Sequence, residues 1–177
     1  MKNRLPKTAF KYSISIICEG NEEFRYLDRL CQLKVFNGQY RFSLVDAAGH
    51  GNLSAFYQDR YQSGSFDLVL IFCDTEKKPF KQYEELKHKI DVFHGVEHAA
   101  EEVILFGNPC TMQIIIKHWA DTMIKTPAKK MNADLIMKYT DVEGYKGKAD
   151  QIAGIMEHIT AENFREMTER IADACGG

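Results

Sequence analysis

The sequence predicts an α/β domain layered as a sandwich, with a parallel or mixed sheet of about four strands flanked by helices. Three observations predict it. Short apolar runs alternate along the chain with segments of helical period. One run, residues 67–73 (Asp-Leu-Val-Leu-Ile-Phe-Cys), is apolar on both faces, as a covered central strand must be. The order is strand, helix, strand, helix, strand, helix, strand, which connection rules turn into neighbouring strands of one sheet. With 177 residues, 45% of them hydrophobic and 27% charged, the chain can bury one sizeable core and should fold throughout.

The first strand is residues 13–18, Ser-Ile-Ser-Ile-Ile-Cys. A helix follows over about residues 21–35, where Phe24, Leu27, Leu30 and Cys31 share a face. Asn21 suits its N-cap, and Glu22 and Glu23 suit the positive end of its dipole. Residues 41–45 form a weaker strand, residues 53–61 a second helix, and residues 67–73 the central strand. Pro79 suits a first helical position, opening a third helix to about residue 93. Residues 102–107 read as the fourth strand. After Pro109 the pattern is helical, over 111–122, 133–139, 148–159 and 161–174, broken at Pro127 and at the loop 141–147. The expected organisation is an α/β domain over 1–122 and a helical C-terminal extension over 123–177 packed on the same domain.

Composition limits the function. A formal net charge of −2 gives no bulk basicity, so any nucleic-acid contact must come from a local patch or a metal ion. No stretch reaches the roughly 18 apolar residues of a membrane span, and the basic N-terminus lacks the apolar run of a signal peptide, so a cytoplasmic protein without membrane partners is expected. Five cysteines, at 18, 31, 73, 110 and 175, include no CxxC pair and read as reduced thiols.

Ligands of open α/β sheets bind at the carboxyl ends of the strands. The first strand runs straight into Glu19-Gly20 and the third into Asp74-Thr75-Glu76. Parallel neighbours would bring these carboxylates together, where they repel unless a cation sits between them, and oxygen-only ligation suits Mg²⁺ or Mn²⁺. Spacing of two would point Asp74 and Glu76 to one side of an extended segment. Gly20 permits a sharp turn into the helix. Receiver-like and phosphatase-like folds also place acids at strand ends, so these residues leave the chemistry open.

Three segments resemble a known family. Glu19-Gly20-Asn21-Glu22-Glu23 is similar to the Glu-Gly-x-x-Glu signature of Toprim domains of the OLD-nuclease and RloB-like type, and Asp74-Thr75-Glu76 resembles their Asp-x-Asp motif. Gly107-Asn108-Pro109-Cys110, with the apolar stretch to Trp119, resembles the Ser-Asn-Pro-Cys block and helix of the RloB-like group. The resemblance implies a Mg²⁺-dependent nuclease that cleaves DNA or RNA, in phage defence, with a partner ATPase or other defence protein. It implies catalytic roles for Glu19, Asp74 and Glu76, with Glu19, Glu23, Asp74 and Glu76 as metal ligands. The chain departs from the pattern at Glu76, one methylene longer than Asp, and at Met112 and Gln113, where the family carries an acid. A catalytically degenerate module that binds nucleic acid, nucleotide or a partner protein is therefore the alternative. A receiver-like protein with Asp74 as phosphoacceptor is a third reading.

Phosphate contacts are expected from Lys117, His118, Lys146 and Lys148, with Lys129 and Lys130 as further cations. The Tyr145-Lys146-Gly147-Lys148 loop pairs a ring with two cations, the combination that stacks bases and meets phosphates. His94 and His98, four apart with His88 nearby, lack a third zinc ligand. Gly49-His50-Gly51-Asn52 could cradle a phosphate at a helix start, but a plain turn after the second strand is the favoured reading. Carboxylates next to Cys18 and Cys73 disfavour a nucleophilic thiol at either position.

Overall fold

The computed structural model describes residues 10–124 and 126–176. Its four strands are all parallel: β1 (Tyr12–Cys18), β2 (Tyr40–Asp46), β3 (Leu68–Asp74) and β4 (Ile104–Gly107), in the order β2-β1-β3-β4. The predicted layered α/β fold is therefore present. The two central strands, β1 and β3, carry the strongest apolar runs, because only they are covered at both edges as well as both faces.

Strand side chains alternate between two cores. Ile16, Cys18 and Phe72 face a core shared with α1 (Asn21–Gln32), α5 (Thr111–Ile116), α6 (Lys129–Thr140) and α7 (Ala149–Glu157). Ile17, Ile71 and Cys73 face a core shared with α2 (Leu53–Ser63), α3 (Lys81–His94) and α4 (Ala99–Val103). The C-terminal helices thus lean on the first face through Ile136, Ile152, Ile155 and Ile159, and α8 (Ala161–Cys175) closes the chain. Burying an aliphatic side chain of this size contributes about 1.5–3 kcal/mol, so this packing ties the C-terminal segment to the sheet.

Several boundaries differ from the expectation. Residues 99–103 form α4, so β4 begins only at Ile104. Gly20, not Asn21, is the N-cap of α1; its N–H donates to Glu23 Oε2 at 3.0 Å. That bond is the N3-to-N-cap half of a capping box: the Glu23 carboxylate accepts the backbone N–H of the N-cap residue. Pro79 precedes α3, which starts at Lys81 with Phe80 as N-cap in the left-handed region, φ 59°. α5 stops at Ile116 rather than 122, because the chain turns there to bury His118. No helix among the described residues is long and apolar enough to cross a membrane.

Candidate metal centre

The parallel register delivers the strand-end acids to one place. Cys18 pairs with Phe72 and Asp74 with Gly107, so Glu19, Asp74 and the start of α5 meet at the carboxyl edge of the sheet. Strand parity then sorts them. Even-numbered β3 residues face the α1 and α5 side, so Asp74 follows Phe72 toward α1; odd-numbered β1 residues face α2, so Glu19 follows Ile17 toward His50. Glu19 Oε2 accepts the Asp74 N–H at 2.9 Å and lies 3.7 Å from His50 Nδ1, while His50 Nε2 lies 2.9 Å from the Gln82 carbonyl. Contact with Glu19 raises the His50 pKa against the lowering by burial.

Asp74 meets Glu23 across Thr111. Thr111 Oγ1 lies 2.7 Å from both Asp74 Oδ1 and Glu23 Oε1, and the Thr111 N–H donates to Asp74 Oδ1 at 2.7 Å. A hydroxyl has one proton to give, so it satisfies one of these carboxylates at a time. Burial, then the Glu23 charge and that of Glu19, push Asp74 up to about 9, with the Thr111 bonds opposing. Burial likewise raises Glu23, against the Thr111 bond and with the Glu22 and Glu19 charges adding. Two desolvated carboxylates joined in this way retain a proton unless a cation replaces it.

Glu22 has a different environment. It is buried, its Oε1 lies 2.6 Å from Lys129 Nζ, and the Tyr145 hydroxyl donates to the same oxygen. Burial pulls Lys129 down, but the bond to Glu22 holds it above its ordinary value. Tyr145 is raised by burial and by the Glu22 charge.

Glu22, Glu23 and Asp74 each present an oxygen within 4.8 Å of the others. They line a cavity of about 350 Å³ together with Glu19 and Glu76. Cys110, Met112, Ile136 and Ile152 supply its apolar wall, and Lys129 is the cation on its lining. This donor set fits a divalent cation that prefers oxygen: the ligands are carboxylates, they are desolvated, and Asp74 Oδ2 receives no hydrogen bond from a described residue. Cys18 and Cys73, beside the acids, are raised by burial first and then by neighbouring carboxylates, including Glu23 for Cys18 and Glu19 for Cys73, which keeps both thiols protonated.

The expected ligands Glu19, Glu23, Asp74 and Glu76 all reach the cavity, but not as expected. Glu76 has φ 59°, so residues 74–76 are not extended and their shared side does not come from strand alternation. Its N–H donates to the Pro109 carbonyl at 2.9 Å, which holds the turn, and burial raises its carboxyl, with the Glu19 and Glu22 charges adding. Glu22, read as a helix-start acid, belongs to the tight group, whereas Glu19 stands outside it.

Several candidate contacts lie elsewhere. His118 is 1% exposed, 2.9 Å from both the Tyr26 hydroxyl and Asn163 Oδ1, and burial lowers its pKa; it is a neutral core residue, not a phosphate contact. Lys117 pairs with Asp121 at 2.5 Å. Lys146 and Lys148 are exposed, but Tyr145 between the cavity and this loop is 1% exposed and cannot stack a base. His94 Nε2 lies 2.8 Å from the Tyr57 hydroxyl, and no zinc-type grouping forms there among the described residues.

Sequence reasoning missed Thr111, His50 and Tyr145 as members of the site. Each stands in or beside a segment that the sequence singles out for another reason: Thr111 follows the Asn-Pro-Cys block, His50 lies within Gly49–Asn52, and Tyr145 belongs to the loop read as a stacking ring with two cations. Comparison of the chain with protein-family models, with curated proteins and with solved structures finds no match.

Proposed function

We propose that the chain is a Toprim-type, Mg²⁺- or Mn²⁺-dependent nuclease that hydrolyses phosphodiesters in DNA or RNA. The observation that carries this reading is the convergence of five carboxylates, from the ends of β1 and β3 and the first turn of α1, on one cavity. Asp74, Glu23 and Glu22 are the residues that would hold the ion, with Glu19 and Glu76 on its margin. A divalent cation bound there supplies charge against the negative charge growing on phosphate and makes water more acidic.

The chain's own residues fit the remaining tasks. Glu19 is oriented by the Asp74 N–H and faces His50, the arrangement of a carboxylate held ready to take a proton. Lys129 offers a positive charge at the rim once phosphate competes with Glu22 for it. The apolar wall from Met112, Ile136 and Ile152 lowers the local polarity beside these charges and strengthens their interactions. A role in phage defence, alongside a partner ATPase, follows from the family likeness and belongs to the same proposal.

One observation favours a binding module without catalysis. Met112, buried in the cavity wall, stands where the family pattern carries an acid, and Gln113 is turned away to bond the Thr122 carbonyl and the Ile124 N–H. Incubating the protein with labelled tRNA, single-stranded DNA and duplex DNA in Mg²⁺ or Mn²⁺ separates the readings. We expect cleavage that falls at least about a hundredfold in Glu19→Gln and Asp74→Asn, the scale of several kcal/mol of charge stabilisation. Cleavage unchanged in both variants, or absent with every substrate, sinks the nuclease.

A further inference from the structure

A second cavity, of about 530 Å³, lies at the other end of the sheet, along the free edge of β2. Tyr12 and Tyr40 are register partners, so their rings stand side by side with centroids 5.8 Å apart. Phe42 shares a face with Tyr40 and continues the row at 6.4 Å, and Phe36 follows at 4.8 Å. Tyr12 and Tyr40 are each 39% exposed and Phe10, at the mouth, is 52% exposed. Tyr12, Tyr40 and Phe10 therefore present ring surface to water, backed by the partly buried Phe42 and Phe36, which pack on the core.

Cations frame this row. Lys34 and Arg41 line the cavity, and Lys11 Nζ stands 5.1 Å from the Tyr12 ring centroid. None of the three forms an ion pair with a described carboxylate, and no acid lines the cavity. Ring faces suit bases, and unpaired cations suit phosphates. A base-paired duplex hides its base faces and would leave the rings unused. A second copy of this chain would set like charges against each other.

We infer that this edge binds single-stranded nucleic acid, with Tyr12 and Tyr40 stacking bases and Lys11, Lys34 and Arg41 meeting phosphates. β1 spans seven residues, so the edge lies roughly 20 Å from the acidic cavity, at 3.2–3.4 Å per residue. The inference rests on the proposed function for its substrate class, and makes that substrate an unpaired stretch held at a distance from the acids.

The test is fluorescence anisotropy with a labelled oligouridylate and oligothymidylate of about 12 nucleotides, within the usual site sizes, measured in EDTA. Without metal, binding reports on the edge whether or not the acidic cavity cleaves, so the two readings fail separately. Tyr40→Ala should weaken binding about 5- to 150-fold, the equivalent of one lost stack, while Tyr40→Phe keeps affinity. Lys34→Glu with Arg41→Glu should flatten the plot of log affinity against log salt by about 0.7 per lost contact or more. Glu102→Gln, exposed on α4 and away from both cavities named here, should bind like the unaltered protein. Equal or tighter binding of a duplex, no effect of Tyr40→Ala, or dimerisation through this edge by light scattering would each overturn the inference.

Discussion

Two pairs of buried contacts at the start of α1 differ in one respect. Glu22 faces a lysine and a tyrosine hydroxyl, so its charge is answered within the protein. Glu23 faces Asp74 across a single hydroxyl, so one charge is answered and the other is not. The two glutamates are consecutive and both are buried. What separates them is what packs above: α6 and the Tyr145 loop over Glu22, the end of β3 over Glu23. The cluster thus has two halves: Glu22, compensated, locks the C-terminal segment onto α1 while still offering an oxygen to the group that would hold the ion, and Glu23 with Asp74, uncompensated, is where that ion's charge is needed.

The largest expected effect tests the uncompensated half. Asp74 is pushed up to about 9, against about 3.9 for a free Asp. Between those values the folded protein binds more protons than the unfolded one, so its stability, full below the ordinary carboxylate range, falls as pH rises. Thermal melts in EDTA should lose stability between about pH 6 and pH 9, by up to about 1.4 kcal/mol per pH unit for one proton. Mg²⁺ or Mn²⁺ should remove most of that slope. A flat profile in EDTA would erase the distinction between the halves.

Two substitutions at about pH 8 should then move stability in opposite directions. Asp74→Asn puts a neutral group where the folded protein must otherwise hold a proton that the unfolded chain releases, and keeps an acceptor for the Thr111 N–H, raising metal-free stability by about 1–3 kcal/mol. Glu22→Gln leaves Lys129 without its partner and weakens the Tyr145 bond, lowering stability by about 1–2 kcal/mol; Lys129 is half exposed, which limits the loss. Shifts of the same sign in chemical denaturation would mean that the two halves are electrostatically alike.

The smallest effect sharpens the compensated half. Gly147 has φ 77° and its missing Cβ is where the Lys129 side chain lies. Gly147→Ala should cost about 1 kcal/mol from backbone strain and displace Lys129 from Glu22. Denaturation of Gly147→Ala in the Glu22→Gln background checks this, since the displacement part disappears once the ion pair is already gone.

Glu19 and Asp74 were legible because apolar runs stop at them, and a parallel sheet brings strand ends to one edge. Glu76 was legible as a member and not in its geometry, because a left-handed turn held by Pro109 replaces strand alternation. Glu22 was misjudged for a general reason: consecutive helical residues point about 100° apart, so a sequence cannot say that both face one cavity. His118 and Tyr145 resemble surface groups in a list of residues, yet both are buried, each with its polar atom bonded to a residue about a hundred positions away or more. Nothing local encodes such a partner.

By itself, then, the sequence determined the α/β layering, the central place of β3 and the strand-end position of the acids, because hydrophobic period and strand termini are properties of neighbouring residues. Tertiary structure alone decided which carboxylates are compensated. Lys129 and Tyr145 come from beyond the sheet to Glu22, Thr111 from after β4 to Glu23 and Asp74, and a buried charge is set by what the fold places within a few ångströms of it.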